Sequence, residues 1–201
     1  MGPITDSLRA KIAALRKEST DHRHFVSQKD LSVLLTKEAI ATAIPECGIV
    51  DYRCPSAVNY VLNEGKIIFG ILVWRRWEHT LNSFIEHGII DGQLPLAVEQ
   101  AQQVTHMFGL AFATDAQWGF LPRQLTKDMS GYHCHFRKEE ILPFTQMGDL
   151  GAGSFGDVYK ATVWPSCQTI YPQVCVVLAA PHPPADIKGV LCSRLPTSWW
   201  L

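Results

Sequence analysis

Apolar residues recur at helical spacing along the first hundred positions of this chain, and the pattern changes abruptly after about residue 140. Leu8, Ile12 and Leu15 fall at i, i+4 and i+7 and predict a helix that Asp6 caps. Arg9, Arg16 and Lys17 lie off that stripe and read as a solvated face rather than a basic docking site. Ser27-Gln28-Lys29-Asp30 has capping-box spacing ahead of Leu31, Leu34 and Leu35, with the shorter Asp in the reciprocal position. Thr36-Lys37-Glu38 opens a further helix that Pro45 closes, and Pro55 opens one that Gly65 stops. The apolar block from Ile67 suits a buried strand or a buried helix. Its continuation through Arg75, Glu78, Leu81, Phe84 and Ile85 to Gly88 favours helix. Leu96 to Phe108 reads as one more. A glycine-rich segment then replaces the helical period, bounded by residues of strand-forming type.

Composition narrows the classes. A chain of 201 residues allows one or two domains, and a net charge of −1 with pI near 6.7 gives no electrostatic reason for nucleic acid or an anionic membrane. The longest apolar run, Ile67 to Trp74, is far shorter than the roughly 20 residues that span a bilayer. Met1-Gly2-Pro3 begins no signal peptide, and Asp6 stands where a myristoylation motif takes Ser or Thr; the expected location is cytoplasmic or nuclear. Cys47, Cys54, Cys134, Cys167, Cys175 and Cys192 form no Cys-x-x-Cys pair, so neither a zinc ribbon nor a thioredoxin motif is expected. In His133-Cys134-His135 adjacent donors on a strand point to opposite faces, which favours a polar strand over a metal site, and His22 and His24 carry no stronger signal. Trp74, Trp77 and Trp118 suit core packing better than partner anchoring. Thr36, Ser83 and Ser130 read as caps and loop residues before they read as modification sites.

The chemistry-bearing stretch is Leu150-Gly151-Ala152-Gly153-Ser154-Phe155-Gly156-Asp157-Val158-Tyr159-Lys160. It has the form G-x-G-x-[S/T]-F-G-x-V, a β-turn-β cover for the phosphates of ATP. Glycines there let backbone N–H groups approach phosphate oxygens and take φ values that other residues resist. A dinucleotide loop would need an apolar strand into the first glycine and a helix at the third. The approach, Phe144 to Leu150, is too polar for a buried parallel strand; the exit is β-branched and aromatic, and Pro165 stops any helix. No Gly-Lys-Ser/Thr follows, which excludes a Walker A loop. An ordinary glycine-rich hairpin remains the plain alternative.

From about Phe25 to Val163 the chain resembles a group of fungal protein-kinase-like proteins with a long region before the kinase fold. The resemblance rests on Gly65-Lys66-Ile67-Ile68-Phe69-Gly70-Ile71-Leu72-Val73, on Phe84-Ile85-Glu86-His87-Gly88 and on Asp91-Gly92-Gln93-Leu94-Pro95-Leu96. It continues in Gln117-Trp118-Gly119-Phe120-Leu121, in Ile141-Leu142-Pro143-Phe144 and, most specifically, in the glycine loop. It implies that Leu150 and Val158 cover the adenine, that Gly151, Gly153 and Gly156 permit the hairpin, and that N–H groups around Ser154 and Phe155 face the phosphates of ATP, with Ala152 among the cofactor-binding residues. A kinase then needs a Val-Ala-Ile-Lys-like strand. Val174-Cys175-Val176-Val177-Leu178 lies near the right distance without a lysine, and Lys188, after Pro183-Pro184, lacks a strand context. No His-Arg-Asp and no Asp-Phe-Gly occurs, so no catalytic base and no magnesium ligand is assigned, and the chain is not expected to transfer phosphate. Magnesium enters only with the rest of a kinase lobe.

Residues 161–201 hold three charged side chains (Asp186, Lys188, Arg194) of the 37 in the chain, yet six of the 12 prolines and three of the six tryptophans. That composition fits neither a kinase lobe nor a solvated tail. Sequence beyond about Gln168 reads as out of frame or intron-derived; an apolar tail packed on the hairpin is the alternative. The expected class is α+β: a helical region over 1–140, the start of a kinase-like domain over 141–164, and an irregular apolar tail over 165–201, with Val174 to Leu178 unpaired. Two functions follow. One is a piece of a protein-kinase-family protein with the ATP loop but without catalytic residues. The other is a non-catalytic helical interaction protein with a vestigial kinase-like end.

Overall fold

The computed structural model describes residues 2–126, 133–153, 156–169, 175–180 and 188–190. The fold is α+β, helical first and then built of antiparallel strands. The chain divides into two compact units, Met1–Lys17 with His24–Leu121, and Glu18–Arg23 with Pro122–Leu201. Residues 122–140 fall in the second unit with the hairpin, and a six-residue piece between the first two helices falls with them.

The helical unit is built from α1 (Pro3–Leu15), α2 (Gln28–Leu34), α3 (Lys37–Ala43), α4 (Cys54–Asn63), α5 (Lys66–Arg75), α6 (Leu81–Glu86) and α7 (Val98–Val104), followed by short turns through Phe120. The local capping signals hold. Ser27 Oγ accepts from Asp30 N at 3.1 Å to open α2, and Thr36 Oγ1 accepts from Ala39 N at 3.3 Å to open α3. Asp30 does not complete a capping box; its carboxylate accepts from the Ser27 hydroxyl at 2.7 Å. Other boundaries move. Asp6 does not cap α1, which begins at Pro3, where a fixed φ and a missing N–H suit the first helical position. The stretch from Ile67 is helical but does not run on to Gly88. Arg76, at φ 62°, turns the chain out of α5, and α6 starts afresh at Leu81. The helix expected from Leu96 to Phe108 is confined to Val98–Val104.

Ile68, Phe69, Gly70, Ile71, Leu72 and Val73 are all buried, which makes α5 the central rod of this unit. A helix apolar on every face is stable only when surrounded. Leu8 and Ile12 of α1, Leu31 of α2, Ile40 of α3, Val61 of α4 and Phe84 of α6 join it in one core.

Two helices begin after glycines that offer no side-chain cap, Gly2 and Gly65. In each, a carboxylate from elsewhere takes the second and third amides. Glu46 accepts from Ile4 N at 3.2 Å and Thr5 N at 2.7 Å. Asp91 accepts from Ile67 N at 2.8 Å and Ile68 N at 3.0 Å. Negative charge at a helix N-terminus satisfies orphan donors and meets the positive end of the dipole. A Cβ on Gly2 would lie 1.9 Å from the Glu46 carboxyl carbon, so a side chain there would push aside the carboxylate that holds the α1 terminus. Burial raises the Glu46 carboxyl, but the Thr5 and Ile4 amides overcome it and hold the group below its ordinary value. For Asp91 burial wins and the carboxyl is pushed up, with the Ile67 and Ile68 amides opposing.

Arg9, expected on a solvated face, is instead buried and donates through Nε to Val73 O at 2.7 Å, and Gln117 is a further buried polar organiser. Its Oε1 accepts from Leu96 N at 2.8 Å while Nε2 donates to Leu96 O at 3.0 Å and Ala113 O at 2.7 Å. One fully buried amide thereby satisfies three backbone groups.

Candidate functional site

In the second unit β1 (His133–His135) pairs with β5 (Lys188–Val190), and β2 (Phe144–Gly153), β3 (Gly156–Val163) and β4 (Cys175–Ala180) form an antiparallel sheet in that order. β4 aligns Cys175 with Thr162 and Ala180 with Asp157, so Cys175–Leu178 is paired, contrary to the unpaired strand expected there. An apolar run beside a strand with a free edge gains ladder bonds by docking on it. Lys188 also lies in a strand, which corrects the reading that it has no such context, but its partner is β1.

The glycine-loop residues fall at the β2–β3 turn. Gly153 is opposite Gly156, Ala152 opposite Asp157 and Gly151 opposite Val158. The next pair is Asp149 with Tyr159, so the ladder skips Leu150. In such a bulge two residues of one strand oppose one of the other. Leu150 and Gly151 therefore share the register position of Val158, which brings the two residues of the expected adenine cover together along the strands. Ser154 and Phe155, the tip between the paired glycines, lie outside the described residues, as does Ser130. A Cβ on Gly148 would meet nothing, so the polar approach to the loop is open on that side.

Beneath the hairpin sits a small core of Leu125, Leu142, Phe144, Ala161 and Val163, with Phe136 and Tyr159 packed against it. Leu125 N donates to Cys167 O and Thr169 N to Leu125 O, both at 3.0 Å, tying the segment after β3 to the segment before β2. The piece Glu18–Arg23 crosses the open end of the hairpin. Thr20 N donates to Phe144 O at 3.1 Å, the Ser19 hydroxyl donates to Leu142 O, and Trp164 Nε1 donates to Glu18 O at 3.4 Å. Arg23 donates through Nη1 to Lys138 O at 3.0 Å and Glu139 O at 3.1 Å, and through Nη2 to Glu140 O at 2.7 Å. Asp21 holds the same guanidinium at Nε, 2.7 Å away. None of this was visible in the sequence, where Arg23 lies between two histidines with no motif around it.

The helical unit offers less chemistry. A 230 Å³ cleft is lined by Ile49, Ala57 and Ile85 with Arg53, Ser56, Asn82 and Glu86 at its rim, and Arg53 and Glu86 pair across it at 3.0 Å. Trp77 stacks on Phe108 at 4.9 Å, Arg16 lies 4.9 Å over Trp74, and Trp118 Nε1 donates to Ala113 O at 3.0 Å. All three tryptophans are partly buried, and Trp74 and Trp77 pack on the core. Burial, with Glu78 and Glu46 nearby, pushes the Cys47 thiol up to about 12, which makes it an unreactive core group. Among the described residues no three His, Cys, Asp or Glu side chains gather as a metal site, and no helix is long and apolar enough to cross a membrane. No family model matches the chain, and neither a curated protein nor a solved structure matches it.

Proposed function

We propose that this chain carries the nucleotide-covering hairpin of a protein-kinase-type fold, binds ATP weakly through it, and does not transfer phosphate. The observation that carries the reading is the β2–β3 register. Glycines paired at Gly153 and Gly156 leave a two-residue tip, and the bulge at Leu150 brings Leu150 and Val158 to one level. Backbone N–H groups at a glycine-flanked tip are the natural partners of phosphate oxygens. A third antiparallel strand, β4, beside β3 supports the same reading, since the lysine-bearing strand of a kinase follows its glycine hairpin. Here Cys175–Ala180 contains no lysine, and the sequence has neither His-Arg-Asp nor Asp-Phe-Gly. β4 therefore offers no lysine to the α- and β-phosphates, and the sequence assigns no magnesium ligand and no base for a hydroxyl proton. Its proposed setting is the cytoplasm or nucleus.

Titration with a fluorescent ATP analogue tests this. Wild-type protein should bind saturably in the high micromolar to millimolar range, and Gly153→Val should abolish binding while leaving the far-ultraviolet circular dichroism unchanged. Absence of binding in the wild type, or labelled phosphate transfer that Gly153→Val removes, would overturn it. A second reading, a helical interaction module, is favoured by Met107 and Leu110, which are 81% and 55% exposed beside the Trp77–Phe108 stack. On that reading Leu110→Asp removes binding of a protein partner and Gly153→Val does not.

A further inference from the structure

A strand pair at the edge of a sheet frays from its open end, because the last pair has ladder neighbours on one side only. In the β2–β3 hairpin the last pair is Phe144 with Val163, at the opposite end from the glycine tip, and one backbone bond follows it, from Trp164 N to Pro143 O at 2.9 Å. The Glu18–Arg23 segment bridges both strands there. Thr20 N reaches the carbonyl of Phe144 at the start of β2, and Glu18 O receives the indole N–H of Trp164, the residue directly after β3. Ser19 is buried and bonds the backbone at Leu142. Arg23 locks the segment by spreading one guanidinium over three successive carbonyls, and charged donors make the stronger hydrogen bonds. The turn that presents these groups holds His22 at φ 63°, a conformation non-glycine residues rarely adopt and one that persists when surrounding bonds fix it. Here His22 N donates to Ser19 O at 2.9 Å, and the His22 ring meets Glu18 at 2.8 Å.

We propose that Glu18–Arg23 is a conformational clamp that sets the order of the glycine hairpin from its open end. Seated, it braces the ladder end at Phe144 and Trp164. Released, the hairpin frays from its base while the helical unit stays folded. The clamp belongs to the same compact unit as the hairpin although more than a hundred residues separate them in sequence. The inference concerns the order of the hairpin and stands whatever the hairpin binds.

Hydrogen–deuterium exchange on the full chain tests it, read on peptides from 144–153 and 156–163 against peptides from 28–75. Arg23→Ala should speed exchange in the hairpin peptides at least tenfold and leave the helical peptides unchanged. Arg23→Lys, which keeps the charge but not the fork, should fall between. Asp91→Ala, which loosens α5 instead, should speed the helical peptides and spare the hairpin. If Arg23→Ala does not yield folded protein, Ser19→Ala, which removes one bond, should give the same selective pattern at about threefold. Unchanged hairpin exchange, or acceleration spread evenly over both units, would overturn the proposal.

Discussion

Replacing Asp91 by alanine isolates a helix cap that comes from 23 and 24 residues down the chain. The substitution strips a charged acceptor from the amides of Ile67 and Ile68 at the start of the central helix. Losing a helix cap costs about 0.5–2 kcal/mol, and an amide left buried without a partner costs about 1–3 kcal/mol. The carboxylate is itself disfavoured by burial, which pushes its pKa up, so the net loss is smaller than the sum. About 2 kcal/mol is expected for Asp91→Ala, seen as a drop of roughly 8 °C in Tm for a unit of this size. Asp91→Asn keeps one acceptor oxygen without the charge and should lose half as much or less. Because the folded-state pKa is raised, Asp91 contributes stability that is present below pH 3.8 and lost as pH rises through its higher folded value. The gap between wild type and Asp91→Asn should therefore narrow from pH 3.5 to pH 7. Thermal and urea unfolding followed by circular dichroism at both pH values is the assay. A shift for Asp91→Ala no larger than that of the exposed Glu86→Ala, or a gap that widens with pH, would refute the reasoning.

Gly109→Ala places a Cβ 2.5 Å from the backbone of Ala101 and Gln102, which cannot yield locally, and should cost more than about 2 kcal/mol in urea unfolding. Gly70→Ala meets the Leu31 methyl ends at 2.9 and 3.1 Å, and since these can turn aside the change should cost clearly less; equal losses would sink the distinction. Cys47, with its thiol raised to about 12, contributes stability that is present below pH 9.0 and lost as pH rises through about 12. Cys47→Ala should accordingly flatten the alkaline fall of Tm above pH 9, and iodoacetamide at pH 8 should leave the Cys47 peptide unmodified in the native protein.

What could be read in the sequence was whatever acts within a few residues. Ser27 and Thr36 cap the helices they precede because their hydroxyls need only reach three residues onward. The glycine hairpin was legible for the same reason: turn and strand preferences are local. Distant partners leave no such local trace. Asp6 has the right chemistry for a cap, but Glu46 holds the α1 terminus and Asp6 instead pairs with Arg9. Arg76 ends α5 in a conformation its side chain does not advertise. The strand character of Cys175–Leu178 was plain, but its docking beside β3 depends on an edge that only the fold supplies.

The clamp also has a consequence for synthesis. Ser19 leaves the ribosome 123 residues before Leu142, its bonding partner. At about 5–20 residues per second that is a wait of roughly 6–25 s, ample time for the helices in between to fold first. During that interval Glu18–Arg23 is a short polar loop of Glu, Ser, Thr, Asp, His and Arg, which water solvates well and which exposes no apolar strand edge. The strands emerge after the helices, and their open end meets a complement already waiting. Long-range closure of this kind is slow, so the last kinetic phase of folding should belong to the hairpin unit and should lengthen when Arg23 is replaced.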